Sequence, residues 1–383
     1  MTSTTTTDLA ATLAALRDGQ AERERERRLL HHEVRALADA GFGSLRVPTE
    51  FGGAGSSLRQ VIAHQIDIAR ADASLGHLWR GHIAFVEKLR YRGVDAARWY
   101  PRLVAGDVIG NAQSERHDTA RLDTVLTRQG STLTLTGTKY YTTGSIYADW
   151  IHLAALDGDE RVAVTVATAQ DGVESVDDWD GFGQLLTGSG TTRFANADVD
   201  HAEVNREDDD AALWPLLGSV FQLSLLATIA GIAQRAHDDL VAYVVPRRRT
   251  FGFAGETLPR EDPLVQHVVG EVSGAASAAR RLVLSAVGDL DEIIDAGYDR
   301  DGLQELQWDV YRLQRVVPDI VLDATTRLFE VGGASAVSVR HALDRHWRNV
   351  RTIASHNPVA QRTRAIGQWE LTGTRPDWKT PGR

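Results

Sequence analysis

Apolar residues recur at three- and four-residue spacing across residues 8–40. This predicts an amphipathic helix whose outer, solvated face carries the charge run AERERERR. Gly41 and Gly43 end that pattern, and RVPTEFGGAGSSL reads as a loop. Ser56 or Ser57 is placed to cap a helix through residues 62–71, and a further helix is expected to contain His77, Trp79 and His82. From about residue 108 to 199 the period shortens. Threonine, valine and tyrosine alternate in runs such as TVLTRQGSTLTLTGTKYYTTG and RVAVTVATA, broken by turn pairs at Gln129-Gly130 and Asp157-Gly158. These are the marks of a small antiparallel β domain. From Trp214 onward the helical period returns with few breakers. The chain therefore divides into a helical domain (1–107), a central β domain (108–213) and a second helical domain (214–383), an α+β organisation.

Residues 215–233, PLLGSVFQLSLLATIAGIA, carry no charge and approach the length of a membrane span. Gln222, Ser224 and Thr228 interrupt the segment, and its pattern runs on into Gln234, Arg235, His237 and Asp238. A helix apolar on all sides is also what the centre of a helical domain requires, and this is the reading adopted; no membrane contact is expected.

Composition narrows the chemistry. The chain has 383 residues, 43% of them hydrophobic and 25% charged, with a net charge of -10. That balance suits a soluble globular protein and argues against nucleic-acid binding. Without cysteine the chain has no disulfides, thiolate metal sites or cysteine nucleophile. The polar, threonine-rich start lacks the basic and apolar blocks of a secretory signal, so a cytoplasmic location is expected. The histidines show no metal-binding spacing. His341 and His346 are five apart, so their rings diverge on a helix, and no metal is expected.

Several motifs occur in a telling order. RVPTEFGGAG is similar to a VP-x-x-x-GG-x-G loop, TGTKYYTTGSIYADW to a strand pair that begins NG-x-K, and RRRTFGF to an R-x-T-F-G segment. Together they resemble the acyl-CoA dehydrogenase fold, which implies an N-terminal helical domain, a central antiparallel β domain and a C-terminal four-helix bundle. GNAQSE, WDGFGQLLTGSGTTRFANADV, LFEVGGAS and the WRNVRT–ASHNP segment resemble a particular branch. It holds the dibenzothiophene monooxygenases and the oxygenase components of para-hydroxyphenylacetate hydroxylase. The resemblance implies a two-component flavin-dependent monooxygenase that receives reduced flavin (FMNH2 or FADH2) from a separate NAD(P)H flavin reductase. With O2 it would form a C4a-hydroperoxyflavin and oxygenate a small aromatic, heteroaromatic, sulfur or amine substrate, as a homotetramer.

The same resemblance implies site residues. His82 would lie beside the substrate, Ser114 against the flavin, and His356 where a proton is moved. Asn111, Thr143, Gly144, Ser145, Arg248, Phe251, Gly332 and Gly333 would hold the cofactor. The 143–145 turn would do so through exposed backbone N–H groups, and Arg248 by reaching the flavin phosphate, often across a subunit contact. Trp79 and Tyr141 would supply a dry wall. Departures also count. Ser335 stands where some relatives carry arginine, and Asn349 makes WRN where many hydroxylases show WRD. No glutamate of the YEG type lies between Val350 and Ala360. An imidazole moves protons near neutral pH but is a poor base for an unactivated carbon acid. The alternatives are an acyl-CoA dehydrogenase-like FAD oxidoreductase and a non-catalytic flavin-binding homologue.

Overall fold

The computed structural model describes residues 2–116, 122–206, 210, 212–249 and 257–375. Helices come first: α1 (Thr2–Arg17), α2 (Gln20–Glu26), α3 (His31–Asp39), α4 (Leu58–Ala71), α5 (Ala73–Leu78), α6 (Arg80–Arg92) and α7 (Ala96–Val104). The helix expected over residues 8–40 is thus three helices. Gly19 (φ 72°) and Arg27 (φ 52°) take left-handed backbone and break it. Nor is its charge run simply a solvated face. Arg23 and Glu24 are buried, Arg23 against Asp72 at 3.2 Å. Asp72 in turn accepts the Ser74 and Leu75 N–H groups and so caps α5.

The start of α4 shows why a local signal succeeds. Ser57 and Gln60 form a reciprocal capping box. A second cap comes from far away in the chain, since the Asp291 carboxylate accepts the Leu58 and Arg59 N–H groups at 2.8 and 2.7 Å. An anion at a helix N-terminus satisfies orphan donors and complements the dipole.

The strands are β1 (Ile109–Ala112), β2 (Val125–Gln129), β3 (Thr132–Lys139), β4 (Trp150–Asp157), β5 (Glu160–Ala167), β6 (Val173–Val176), β7 (Thr191–Asp198) and β8 (Val204–Arg206). They form a sheet in the order β6-β7-β3-β2-β4-β5-β8, with β1 also on β4. Two-residue turns at Gly130-Ser131 and Gly158-Asp159 close the β2–β3 and β4–β5 hairpins. The sheet is not wholly antiparallel: β1 and β2 both run parallel to β4, one along each half of it. Just after β1, Gln113, Ser114 and Glu115 line the cleft between the sheet and the helices.

The second helical domain comprises α8 (Leu213–Val244), α9 (Pro263–Asp295), α10 (Arg300–Arg327), α11 (Asp344–Ala354) and α12 (Val359–Thr372). The apolar segment forms most of α8, which is buried against α4, α9 and α10. An apolar core runs from the N-terminal helices through α8 into α9 and α10, and a separate one fills the sheet.

Because Asp291 joins α9 to the start of α4, Asp291→Ala should destabilise the protein by about 1–2 kcal/mol. Urea unfolding measures this, and an unchanged midpoint would show that the Ser57 box alone caps α4.

Candidate functional site

A cleft of about 1630 Å³ opens where the three domains meet. One wall comes from the sheet domain, with Ser114, Tyr141, Thr143, Trp179 and Ser189. The other comes from the helices, with Phe221, Trp308, Tyr311 and His356. His77 and Arg80 stand at its floor, where α5 ends and α6 begins.

His77 near the end of α5 and Arg80 at the start of α6 both line the cleft. His77 Nδ1 lies 3.1 Å from Gln184 Oε1. An amide oxygen only accepts, so Nδ1 carries the proton and Nε2 is left as a lone-pair acceptor. That Nε2 is buried and has no partner among the described residues, as is Gln184 Nε2. The pair therefore presents one unused acceptor and one unused donor. Gln184 is itself held through its backbone N–H, which donates to Asn349 Oδ1 at 2.6 Å, while Asn349 Nδ2 donates to Glu24 at 3.1 Å.

His356 meets Arg80 directly, with Arg80 Nη1 2.8 Å from His356 Nε2. A guanidinium only donates, so His356 Nε2 accepts and its proton sits on Nδ1. The Arg80 charge first, then burial, holds the His356 pKa well below 6.5. Burial, with Arg80 adding to it, takes His77 down to about 3. Both rings are neutral at physiological pH. They resist protonation and act through hydrogen bonds, His356 Nε2 accepting from Arg80 and His77 Nε2 open to a donor.

His82 does not join them. It is 2% exposed and lies outside the cleft. Its Nε2 donates to the Gly43 carbonyl at 2.8 Å and its Nδ1 accepts the Ile109 N–H at 3.2 Å. Both nitrogens are spent tying α6 to the loop after α3 and to β1. Trp79 is likewise core, edge-on to Phe42 and His82. The substrate-side roles expected for these two residues are corrected by geometry: α5 ends at Leu78 and α6 starts anew at Arg80, and His82 on α6 points back to Gly43 and Ile109.

The sheet wall brings Asn111, Ser114, Tyr141 and Thr143 to the cleft. The 143–145 turn, however, does not offer its backbone. Thr143 N–H donates to Tyr141 O, Gly144 N–H to Thr187 O and Ser145 N–H to Thr142 O. Gly144 (φ 83°) is needed for that turn, and a Cβ there would stand 2.8 Å from the Leu78 carbonyl. Gly144 and Ser145 shape the wall from behind, and Thr143 alone of the three reaches the cleft, its Oγ1 2.8 Å from Ser189 Oγ.

The remaining cofactor candidates lie elsewhere on this chain. Gly332 packs against Tyr243 and Arg247, where a Cβ would meet Tyr243 Oη at 2.3 Å. Ser335 Oγ bonds the same Tyr243 hydroxyl. Phe221 and Tyr243 are both on α8, about 33 Å apart at 1.5 Å rise per residue. Gly332, Gly333 and the exposed Arg248 therefore sit beyond the far end of the helix whose start lines the cleft. Phe251 lies outside the described residues.

The residues missed by sequence reasoning are His77, Arg80 and Gln184. Their one signal was the HLWR tetrapeptide, a histidine and an arginine at i,i+3 in an otherwise apolar stretch. The site suits a flavin. Gln184, Thr143 and Ser189 would hold a polar ring edge, Trp179 would flank it, and Arg300 at the mouth would meet a phosphate. Among the described residues no cluster could hold a metal ion.

The comparisons agree with this geometry. Residues 4–107 match the family model for the N-terminal domain of acyl-CoA dehydrogenase, and residues 223–361 the model for its C-terminal domain. The chain belongs to the acyl-CoA dehydrogenase family, on its flavin-dependent monooxygenase branch. It is 28% identical over 376 residues to a dibenzothiophene monooxygenase of Rhodococcus qingshengii, covering 93% of this chain and 90% of the relative. The probable FMNH2-dependent monooxygenase SfnC of Pseudomonas putida is also 28% identical, over 89% of this chain and 88% of its own. The structure of TdsC from Paenibacillus sp. A11-2 with FMN and indole superposes with a TM-score of 0.89 at 27% identity, covering 98% of each chain. Methanesulfinate monooxygenase MsuC from Pseudomonas fluorescens gives 0.87 at 25%, again over 98% of each.

The buried neutral histidines set an acid limit. Burial takes His82 down to about 4 and His77 to about 3, against 6.5 unfolded. The unfolded chain binds their protons first. Their contribution is therefore whole above pH 6.5, declines as pH falls, and is gone below the folded values. Unfolding free energy should drop by about 1.4 kcal/mol per pH unit for each such ring within that window. Denaturant titrations between pH 7.5 and 5 measure it, and a flat profile would contradict burial of the neutral rings.

Proposed function

We propose that this protein is the oxygenase component of a two-component flavin-dependent monooxygenase. It takes reduced flavin from a separate NAD(P)H flavin reductase and uses O2 to oxygenate a small organic substrate. The names of its relatives include dibenzothiophene and methanesulfinate, and one related structure contains indole. An aromatic, heteroaromatic, sulfur or amine substrate fits a cleft walled by Trp179, Phe221, Trp308 and Tyr311.

The observation that carries this reading is the pairing of two neutral imidazoles with no free carboxylate among the described residues. Two described carboxylates line the cleft, and both are engaged. Glu115 accepts from Lys139, the Asp123 N–H and Thr124. Asp210 accepts from the Tyr91 hydroxyl and the first N–H groups of α8. A dehydrogenase needs a strong base for a carbon-bound proton, and this floor lacks one. An oxygenase needs a water-poor chamber and hydrogen-bonding groups that hold cofactor and substrate in place. Reduced flavin, when bound, supplies the electrons that activate O2. His356, kept neutral by Arg80 and with its Nε2 lone pair taken by that guanidinium, fixes the arginine in the cleft, and His77 orients a donor of the substrate or cofactor at its own Nε2.

The far-end position of Arg248, Gly332 and Gly333 supports a homotetramer in which these residues complete the cofactor site of a neighbouring copy. None of the three lines the cleft of its own chain.

Supplied with NADH, a flavin reductase and FMN, the protein should consume O2 and convert indole- or thiophene-type compounds to oxygenated products. Bleaching of its bound flavin by butyryl-CoA would instead establish a dehydrogenase. His356→Ala and His77→Ala should each cut product formation on the order of a hundredfold while hydrogen peroxide release persists. Product yields equal to those of the unaltered protein would remove these rings from the reaction.

A further inference from the structure

Arg80 is an unusual cation in this chain. It is 6% exposed, lines the cleft, and has no carboxylate partner among the described residues. Its contacts are His356 Nε2 and the Phe221 ring, whose centroid lies 5.4 Å from the guanidinium carbon. The other deeply buried arginines are paired: Arg23 with Asp72, Arg46 with Glu87, Arg345 with Asp239. Burial alone pulls Arg80 down to about 10, so it stays charged at neutral pH without compensation. A buried unpaired charge is costly, and a site that keeps one is built to receive the opposite charge. On the same helical wall Arg362 lies 4.0 Å from the Tyr311 ring and bonds the Gln314 amide oxygen, also with no carboxylate partner among the described residues. The cleft is thus cationic inside a chain of net charge -10.

We propose that Arg80 is a specificity residue that receives the oxyanion of the substrate, which is a small organic acid bearing a carboxylate, sulfinate or sulfonate on an apolar body. This rests on the monooxygenase reading of the same cleft. The planar guanidinium has one Nη committed to His356, and its other N–H groups remain for a two-point grip on an oxyanion. The Phe221 ring lies against the same guanidinium, where it would meet the apolar body. The flavin is the other possible source of negative charge. The hydroxyls of Thr143 and Ser189 and the Gln184 amide lie on the sheet wall and suit its edge, whereas Arg80 is bonded to the helical wall through His356 and Phe221. An anion held at Arg80 sits beside His356, which fixes the guanidinium from the other side.

The test compares benzenesulfinate with the neutral methyl phenyl sulfone by calorimetric titration of the FMN-loaded protein. The sulfinate should bind at least tenfold more tightly. Arg80→Gln should abolish that preference, Arg80→Lys should restore part of it, and FMN binding by Arg80→Gln should stay within a few-fold of the unaltered protein. Equal binding of both probes by the unaltered protein, or a preference that survives Arg80→Gln, overturns the proposal. Loss of FMN binding in Arg80→Gln and Arg80→Lys alike would assign the arginine to the cofactor and also overturn it. Failure of the unaltered protein to bind FMN, with the sulfinate preference intact, would count against the monooxygenase reading and leave the anion site standing.

Discussion

The contact that the site depends on is the side-chain amide of Asn349. Its oxygen takes the Gln184 N–H and its nitrogen gives to the buried Glu24 carboxylate. One planar group thus joins the N-terminal helices, the loop leading into β7, and α11. Gln184 is held in left-handed backbone (φ 55°), with its side chain turned to His77. Burial pushes the Glu24 carboxyl up, and Arg348 and the Asn349 amide pull it back toward ionisation. A buried polar chain of this kind fixes geometry because each member left unpaired would cost more than it contributes when bonded.

Arg23 does for α5 what Glu24 does for the loop. Its ion pair steadies Asp72, Asp72 caps α5, and α5 delivers His77. Two adjacent residues of the charge run therefore set the floor of the cleft from opposite sides. Alternation of sign along a helix normally indicates a wet surface. Here the second-layer partners come from residues 49 and 325 positions away, which no local pattern shows.

The legible and illegible parts of the chain divide along that line. Helix-sheet-helix order, the Ser57 cap, the tight turns of the sheet and the buried α8 follow from periodicity and turn chemistry over a few residues. His356 was legible because its motif is local and lies at a helix end. The choice between His77 and His82 was not, because it turns on where α5 stops. The break at Trp79 sends His77 and Arg80 to the cleft and His82 back to Gly43 and Ile109. The backbone of the 143–145 turn was misread for a related reason. Its N–H groups are consumed by Tyr141, Thr142 and Thr187, the last on a separate loop. Arg80 is an arginine within an apolar run, and only the absence of a nearby carboxylate makes it informative.

The span of the Asn349–Glu24 bond bears on how the chain matures. A ribosome releases Glu24 long before Asn349, so for most of synthesis that carboxylate lacks its Asn349 partner. Asp291, the remote cap of α4, also emerges late. The N-terminal helices thus leave the exit tunnel before their two distant anchors exist, and the floor of the cleft is sealed only as the last helices arrive.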